Sequence, residues 1–512
     1  MSGLDLLLTG FANSFTAVNL IACFVGALIG TIVGVLPGLG PTATMALLLP
    51  FTIPYGPVTG LIMMTGIWYG AMYGGSTTSV LVNIPGEAAS VVTCLDGYQM
   101  ARKGRAGAAL ALVAAGSFVA GTLGLLGLQF LAPVLGNAAL SFGPPEFLAF
   151  MILAFVLLAA LSAAAPLKGA LMIVLGLFLS TIGVNPMDSY PRFTFGTEKL
   201  MLGIDFLPIA MGLFGISEIL TIAIQKYVKP QVGRVRLREL YPSKEELQRS
   251  LTPTLRGSVL GFFVGLLPGP STVISTFVAY AVEKRLSKRP QEFGKGAVEG
   301  VVAPESANNS AVMGSMIPLL TLGIPFAAPS AIMLAALRMH NVEPGPMLFT
   351  THPQVFWTFI GAMYIGNLML LVLNLPLVGA FAKIATIRPQ ILLPIISVTC
   401  LVGVYSVRNA FFDVWVMIAA GVIGFFLRRW GYPIAPFIIG IVLGPTTENS
   451  LRQTLLMFKG DVTLIAGRPL ASVLLACAGT FIVYRLVAKY RAQRYPSQNE
   501  SHVGFNPKEE RS

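Results

Sequence analysis

The chain has 512 residues, of which 55% are hydrophobic and only 11% charged, against about 25% charged in a soluble globular protein. With a mean hydropathy of +0.76, that deficit excludes a surface solvated mostly by water and points to an all-α polytopic membrane protein whose main solvent is the lipid bilayer. The net charge of +12 does not indicate nucleic acid, because residues 1–101 hold no Lys or Arg while eight of the 34 fall in 226–256 and five in 284–295. Such clusters between apolar runs are the mark of cytoplasmic loops beside an anionic leaflet.

In chain order, apolar runs cover 15–35, 58–82, 106–135, 146–165, 167–182 and 206–224. After a basic stretch they cover 257–282, 312–337, 355–381, 391–404, 410–427, 434–443 and 470–487. Several reach the roughly 20 residues that a helix needs to cross the hydrocarbon, and others are broken by Pro and Gly. About 11–12 membrane segments are expected. The organisation read from these runs is a first membrane repeat (1–225), a basic cytoplasmic linker (226–256), a second repeat (257–469), a final helix (470–488) and a disordered tail (489–512). The N-terminus lacks a basic region before its first apolar run, so a cleaved signal peptide is not expected.

The two halves repeat each other. Gly30-x3-Gly34-x-Leu36-Pro37-Gly38 recurs as Gly261-x3-Gly265-x-Leu267-Pro268-Gly269, an offset of 231 (261 − 30) that also lays Thr77-Thr78-Ser79 on Asn308-Asn309-Ser310. Ile84-Pro85 recurs as Ile324-Pro325 at an offset of 240 (324 − 84), and Gly176-x-Phe178-Leu179 as Gly424-x-Phe426-Leu427 at 248 (424 − 176). Periods this long mean duplicated halves rather than a solenoid. Charge bias orients them. Arg102, Lys103 and Arg105 belong inside with 226–256, whereas the second half needs Lys383, Arg428 and Arg429 inside, where the first half has no basic counterparts. The halves are therefore expected to be inverted. Because 226–256 and 284–295 are both basic, the run between them is read as a re-entrant hairpin turning at Leu267-Pro268-Gly269-Pro270, with a Pro-kinked crossing as the alternative. The inversion also places an insertion in the first half, 185–204, on the outer side.

Chemistry is expected at the breaks. Pro37, Gly38 and Gly40 before Thr42, and Gly269 before Ser271 and Thr272, can start half-helices whose free amides and dipoles suit an anion. Ser76, Thr77 and Thr78, with Asn308 and Asn309, offer donors and acceptors suited to a carboxylate or Na⁺. Small polar residues also glue membrane helices together. Glu87 and Glu305 lie in or beside apolar segments, where carboxylates are costly and commonly functional. A coupling cation, Na⁺ or H⁺, is assigned to these groups, with Na⁺ at Glu305, Asn308 and Asn309. Asp96 is read as a cap or pair at the cytoplasmic surface. No other cofactor or metal is expected: the cysteines and histidines are scattered, and no nucleophile, P-loop or zinc-protease motif supports an enzyme. A channel is the remaining rival.

Several motifs together resemble one known family. They are Gly34-Val-Leu-Pro-Gly-Leu-Gly-Pro41, Tyr73-Gly-Gly-Ser-Thr-Thr78, Asn83-Ile-Pro-Gly-Glu87, Leu95-Asp-Gly-Tyr98, Gly265-Leu-Leu-Pro-Gly269, Ala303-Pro-Glu-Ser-Ala-Asn-Asn309 and Leu319-Leu-Thr-Leu-Gly-Ile-Pro325. The chain resembles, over roughly 15–485, the large membrane subunit of bacterial tripartite tricarboxylate transporters, the TctA family. Its motifs add Asn83, Gly86 and Ser306 to the candidate residues. The resemblance implies a secondary uptake transporter for a tricarboxylate or related organic carboxylate in the bacterial inner membrane. It further implies a small membrane subunit and a periplasmic substrate-binding protein as partners. One departure is Phe326, where the family pattern leads one to expect a small residue after Gly-Ile-Pro.

Overall fold

The computed structural model describes residues 3–36, 40–162, 166–185, 189–224, 237–384, 387 and 389–494. The first half comprises α1 (Gly3–Ser14), α2 (Ala17–Val35), α3 (Pro41–Thr52), α4 (Gly56–Val82), α5 (Val91–Arg102), α6 (Ala106–Ala139), α7 (Pro144–Leu161), α8 (Pro166–Ser180) and α9 (Phe206–Ala210), which passes through a π turn into α10 (Ser217–Ile224). The second comprises α11 (Lys244–Gly265), α12 (Ser271–Leu286), α13 (Val298–Leu322), α14 (Ala328–Met339), α15 (Leu348–Thr351), α16 (Pro353–Ile384), α17 (Pro389–Arg408), α18 (Phe411–Arg429) and α19 (Ile434–Met457), followed by α20 (Pro469–Arg494). Among the described residues, seven helices are long and apolar enough to cross a membrane, and four shorter apolar helices accompany them. The strands among the described residues form one short antiparallel pair, Gly183–Val184 with Pro191–Arg192.

Glycines set the packing. Gly26, Gly30 and Gly34 of α2 press against the backbone of Met63, Ile67 and Ala71 of α4, leaving no room for a Cβ. Gly257, Gly261 and Gly265 of α11 press in the same way on Ala303, Ala307 and Ala311 of α13. Small residues allow this backbone approach where lipid offers no hydrophobic drive between helices. Both registers rise together, so each pair is parallel. The intervening helix must therefore return: Thr52, at the end of α3, lies beside Gly60 near the start of α4. In the second half Glu283, near the end of α12, pairs with Arg256 of α11 at 2.6 Å. Among the described residues, α2 with α3 and α11 with α12 thus run antiparallel, as hairpins rather than kinked crossings.

The halves are inverted and interlocked. Ser76 of α4 meets Glu305 of α13 while Tyr69 meets Asn309, so α4 and α13 are antiparallel. Gly116 and Gly124 of α6 face Ser306 and Ser310 of α13, so α6 runs with the second half. In exchange, Cys23 of α2 faces Ala362 and Gly366 of α16. The starts of α6, α11 and α13 form one end. There Arg105 pairs with Glu246, Arg249 with Glu292 and Glu299, and Arg289 with Glu245. The Arg249 hydrogen bond holds Glu292 below the usual carboxylate range. Lys168 and the end of α18 meet at this same basic end, through the Trp430 carbonyl. The insertion 185–204 lies at the opposite end, where Arg192 pairs with Glu448 at 2.6 Å. Arg408 is paired there with Asp205 at 2.7 Å.

Four expectations need correction. The run 312–337 is two helices, because α13 begins at Val298 and carries the polar Glu305–Asn309 stretch into the interior before Gly323 (φ 68) ends it. The linker 226–256 overlaps α11, which starts at Lys244 behind a capping box of Ser243 and Glu246. Residues 225–236 lie outside the described residues. The last helix runs to Arg494, and the remainder of the tail, 495–512, also lies outside them. Finally, the offset of 231 holds for the hairpins only. Ala71 faces Gly34 as Ala311 faces Gly265, so α4 and α13 are related by 240 (311 − 71). Thr77 and Thr78 thus match Ile317 and Pro318, not Asn308 and Asn309. The connection between α12 and α13 is longer than the short turn between α3 and α4, and that shifts the register.

Candidate functional site

The matched turns after α4 and α13 build the site. Asn83 (φ 57) and Gly323 (φ 68) end their helices in left-handed conformation, and each chain then turns back into the protein. A serine closes each turn: Ser90 Oγ accepts from the Glu87 amide at 3.3 Å, and Ser330 Oγ accepts from the Ala327 amide at 3.0 Å. The next helices, α5 and α14, start inside the bundle. Each turn touches a hairpin: Gly86 fits against the Gly34 carbonyl and Gly75, and the Phe326 carbonyl accepts from the Gly269 amide at 2.9 Å.

Two carboxylates meet at the crossing of α4 and α13. Glu305, 1% exposed, accepts from Ser76 Oγ at 2.6 Å and, on its other oxygen, from Thr93 Oγ1. Glu87 accepts from Asn308 Nδ2 at 2.9 Å, and Gly75 leaves room for its side chain. No ion pair reaches either carboxylate among the described residues. Oδ1 of Asn308, wholly buried, has no protein partner. A charged carboxylate at the centre of a membrane helix costs about 3 kcal/mol by insertion scales. The pair is therefore an uncompensated acidic cluster, neutral only when it holds protons or a cation. Glu305 and Asn308 with Glu87 present oxygens suited to a hard monovalent ion.

Beside this cluster lie helix N-termini. Tyr280 of α12 donates to Asp96 of α5 at 2.9 Å, and the helical turn Ala88–Ser90 packs on α12, so α5 and α12 run in parallel with adjacent N-termini. Ser271 opens α12; its hydroxyl is buried without a partner. Gly269 (φ 122) makes the turn before it, a conformation that favours glycine. Thr272 follows, half-buried, in the first turn. The Ser271 amide is taken up by the Gly269 carbonyl at 2.8 Å, so this helix start offers its orphan hydroxyl and the positive end of its dipole.

Other expected residues lie elsewhere. Thr77 donates to the Tyr73 carbonyl at 3.2 Å and faces a crevice shared with Asn374, between α4, α6 and α16. Asn309 donates to Ser117 Oγ at 2.8 Å and to the Glu305 carbonyl at 2.9 Å, and Ser306 faces Gly116. These three serve the contact with α6, because successive helical positions point about 100° apart. Thr78 donates to the Gly75 carbonyl at 3.1 Å and borders Gly86. Asn83 contributes its backbone turn. Gly40 caps α3, whose Thr42 sits in the other pair of half-helices, α3 with α14. Pro37 and Gly38 lie outside the described residues.

Thr93 escaped the sequence, and so did the depth of Asp96, whose reading as a cap holds. Thr93 lies in no apolar run and no distinctive motif. Asp96 is wholly buried, not superficial: it accepts from the Gly296 and Ala297 amides at 2.7 and 2.8 Å and so caps α13 from α5. Its signal was one acid followed by Gly97, whose missing side chain admits Val80.

With this geometry in view, the comparisons carry weight. The profile described as the tripartite tricarboxylate transporter TctA family matches residues 20–439. An uncharacterised 52.8 kDa protein from the TAR-I ttuC′ 3′ region of Agrobacterium vitis is 47% identical over 485 residues, covering 95% of this chain and 96% of its own length. An uncharacterised protein from the TAR-II ttuC′ 3′ region of the same organism is 43% identical over 234 residues, covering 46% of this chain and 97% of its own. No solved structure matches the chain.

Proposed function

The chain belongs to the tripartite tricarboxylate transporter TctA family, and from that premise we propose that it is the ion-coupled membrane carrier for an organic carboxylate. In this reading it lies in the bacterial inner membrane with its basic end in the cytoplasm. A small membrane subunit assembles with it, and a periplasmic binding protein delivers substrate to the opposite end.

The observation that carries the reading is the uncompensated pair Glu87 and Glu305 next to the N-termini of α5 and α12. The dipole at the start of α12 and the Ser271 hydroxyl attract a substrate carboxylate there, while two ionised glutamates would repel it. At the low effective dielectric of a buried site that repulsion amounts to several kcal/mol. Protonation or a bound Na⁺ removes it, so cation and anion bind more readily together than apart. That reciprocity is coupling in the thermodynamic sense. The inverted halves supply the other requirement: each has a hairpin and a half-helix reaching mid-depth from its own side, as alternating access between related repeats demands.

The test is uptake of radiolabelled citrate and a panel of di- and tricarboxylates into vesicles containing the chain and its small subunit. Saturable uptake that requires the binding protein supports the reading. Flux that rises without saturation and needs no binding protein would identify a channel instead.

A further inference from the structure

At the basic end the turn after α7 meets the turn after α18. Arg485 of α20 donates to the Ala160 carbonyl in the last turn of α7. Lys168, in the first turn of α8, donates to the Trp430 carbonyl just past the end of α18. Its ammonium also lies over the Tyr432 ring, 4.6 Å from the centroid. Gly169 packs on the Ala159 carbonyl and Ser162, so both carbonyl-bound cations belong to the same α7–α8 turn. Arg429, beside Trp430, has an exposed side chain. Carbonyls that close helices attract cations, and each head held in this way keeps further N–H donors. Arg105, Arg249, Arg256 and Arg289, elsewhere at this end, all pair with glutamates. Here the pattern breaks: among the described residues no carboxylate pairs with Lys168, Arg429 or Arg485, and Arg428 alone of the group is matched, by Glu218.

The surface running from these cations into the membrane is apolar. α8 exposes Leu167, Leu171, Val174 and Phe178, and α18 exposes Val422, Phe426 and Trp430, each set spaced as one helical stripe. The two helices meet at Lys168 and do not pack along their lengths. We propose that this cluster is a binding site for an anionic phospholipid of the leaflet at this end, the cytoplasmic one in the proposed orientation. The phosphodiester takes charge-assisted hydrogen bonds from Lys168, Arg429 and Arg485. Trp430 lies at headgroup level, where aromatic side chains gather, and the acyl chains follow the exposed stripes. A soluble anion would gain the first contacts and not the second. Such a lipid ties α8 to α18, the repeat counterparts marked by Gly176 and Gly424.

Trp430 reports on the site by fluorescence quenching. The purified chain is placed in phosphatidylcholine nanodiscs with increasing fractions of brominated phosphatidylglycerol or brominated phosphatidylcholine. A Trp430→Phe protein supplies the background of the other tryptophans. Nanodiscs present lipid to both ends, so orientation does not enter. Trp430 is expected to be quenched at a lower fraction of the anionic lipid than of the zwitterionic one. Lys168→Gln and Arg429→Gln should each raise the half-quenching fraction roughly fivefold, the worth of one basic residue at an anionic surface. Arg429 pairs with no acid, so its loss leaves the fold intact. Lys244→Gln removes an exposed charge at the same end, on α11, and should leave that fraction unchanged. Equal quenching by both lipids, or an equal shift for Lys244→Gln, would overturn the site in favour of diffuse attraction. Relief of quenching by millimolar glycerol phosphate would assign the cluster to a soluble anion and overturn the lipid.

Discussion

Ser76 and Glu305 stand 229 residues apart in sequence, yet the serine hydroxyl donates to the carboxylate at 2.6 Å where the inverted repeats cross. The bond joins the helices that carry the two hairpins. A change of charge at Glu305 is therefore felt at once in both halves. In the proposed carrier, a coupling ion at this crossing biases the alternation between them.

The hairpin architecture predicts a labelling pattern. Single cysteines at Lys244 and Lys288, both exposed at the basic end, should react with an impermeant thiol reagent applied from the cytoplasm. A cysteine at Phe195, which is 87% exposed at the other end, should react from the periplasm. Periplasmic labelling at Lys288→Cys would mean that α11 and α12 form one crossing.

Glycine packing predicts a sharp positional contrast. Gly30→Leu and Gly261→Leu force a side chain into the backbone of Ile67 and Ala307, and overpacking of this kind costs about 1–3 kcal/mol or more. Gly479→Leu meets open space and should leave thermal stability unchanged in detergent. Equal melting temperatures for all three would remove the role assigned to the glycine ladder.

The Asp96 cap predicts a local loss. Asp96→Ala removes the acceptor for two amides and for Tyr280, and losing even one hydrogen bond to a charged group costs roughly 1.5–3 kcal/mol. Hydrogen exchange should rise at the start of α13 before it rises elsewhere. Unchanged protection at residues 296–300 would show that the cap is dispensable.

The sequence made much of this legible, and its blind spots have physical causes. The second Gly-x3-Gly-x-Leu-Pro-Gly segment read as a hairpin because the basic stretches on both sides of it must share one side of the membrane. Glycine spacing and proline breaks are local facts that match it to the first. Charge bias read the inversion, because each cluster must choose a side. The register of α4 against α13 was not local: it depends on how many residues the chain spends between α12 and α13. Matching Thr77 to Asn308 failed for that reason. The role of Thr93 and the depth of Asp96 were unreadable for a related one, since their partners come from helices some 200 residues away. Which of Asn308 and Asn309 faces Glu87 is decided by one 100° step of helix, which adjacency in sequence does not reveal.

The insertion 185–204 predicts a docking effect. Arg192 holds it to Glu448 through two hydrogen bonds, at 2.6 and 3.2 Å, and leaves Phe195 and Leu202 outward at the end where, in the proposed function, a binding protein docks. Deleting residues 191–199 should raise the binding-protein concentration needed for half-maximal uptake, with assembly of the small subunit unaffected. An unchanged requirement would exclude this loop from the contact.

The most direct test of the account is the gradient dependence of uptake in proteoliposomes for wild type and Glu305→Gln. The substitution keeps the size of the side chain and its hydrogen-bonding capacity while fixing it neutral. Wild-type accumulation should follow an imposed Na⁺ or H⁺ gradient. In Glu305→Gln, exchange of internal for external substrate should persist while the response to that gradient falls by at least about tenfold, the equivalent of some 1.4 kcal/mol of lost coupling. A variant that still concentrates substrate as steeply as the wild type would contradict the assignment of ion coupling to this carboxylate.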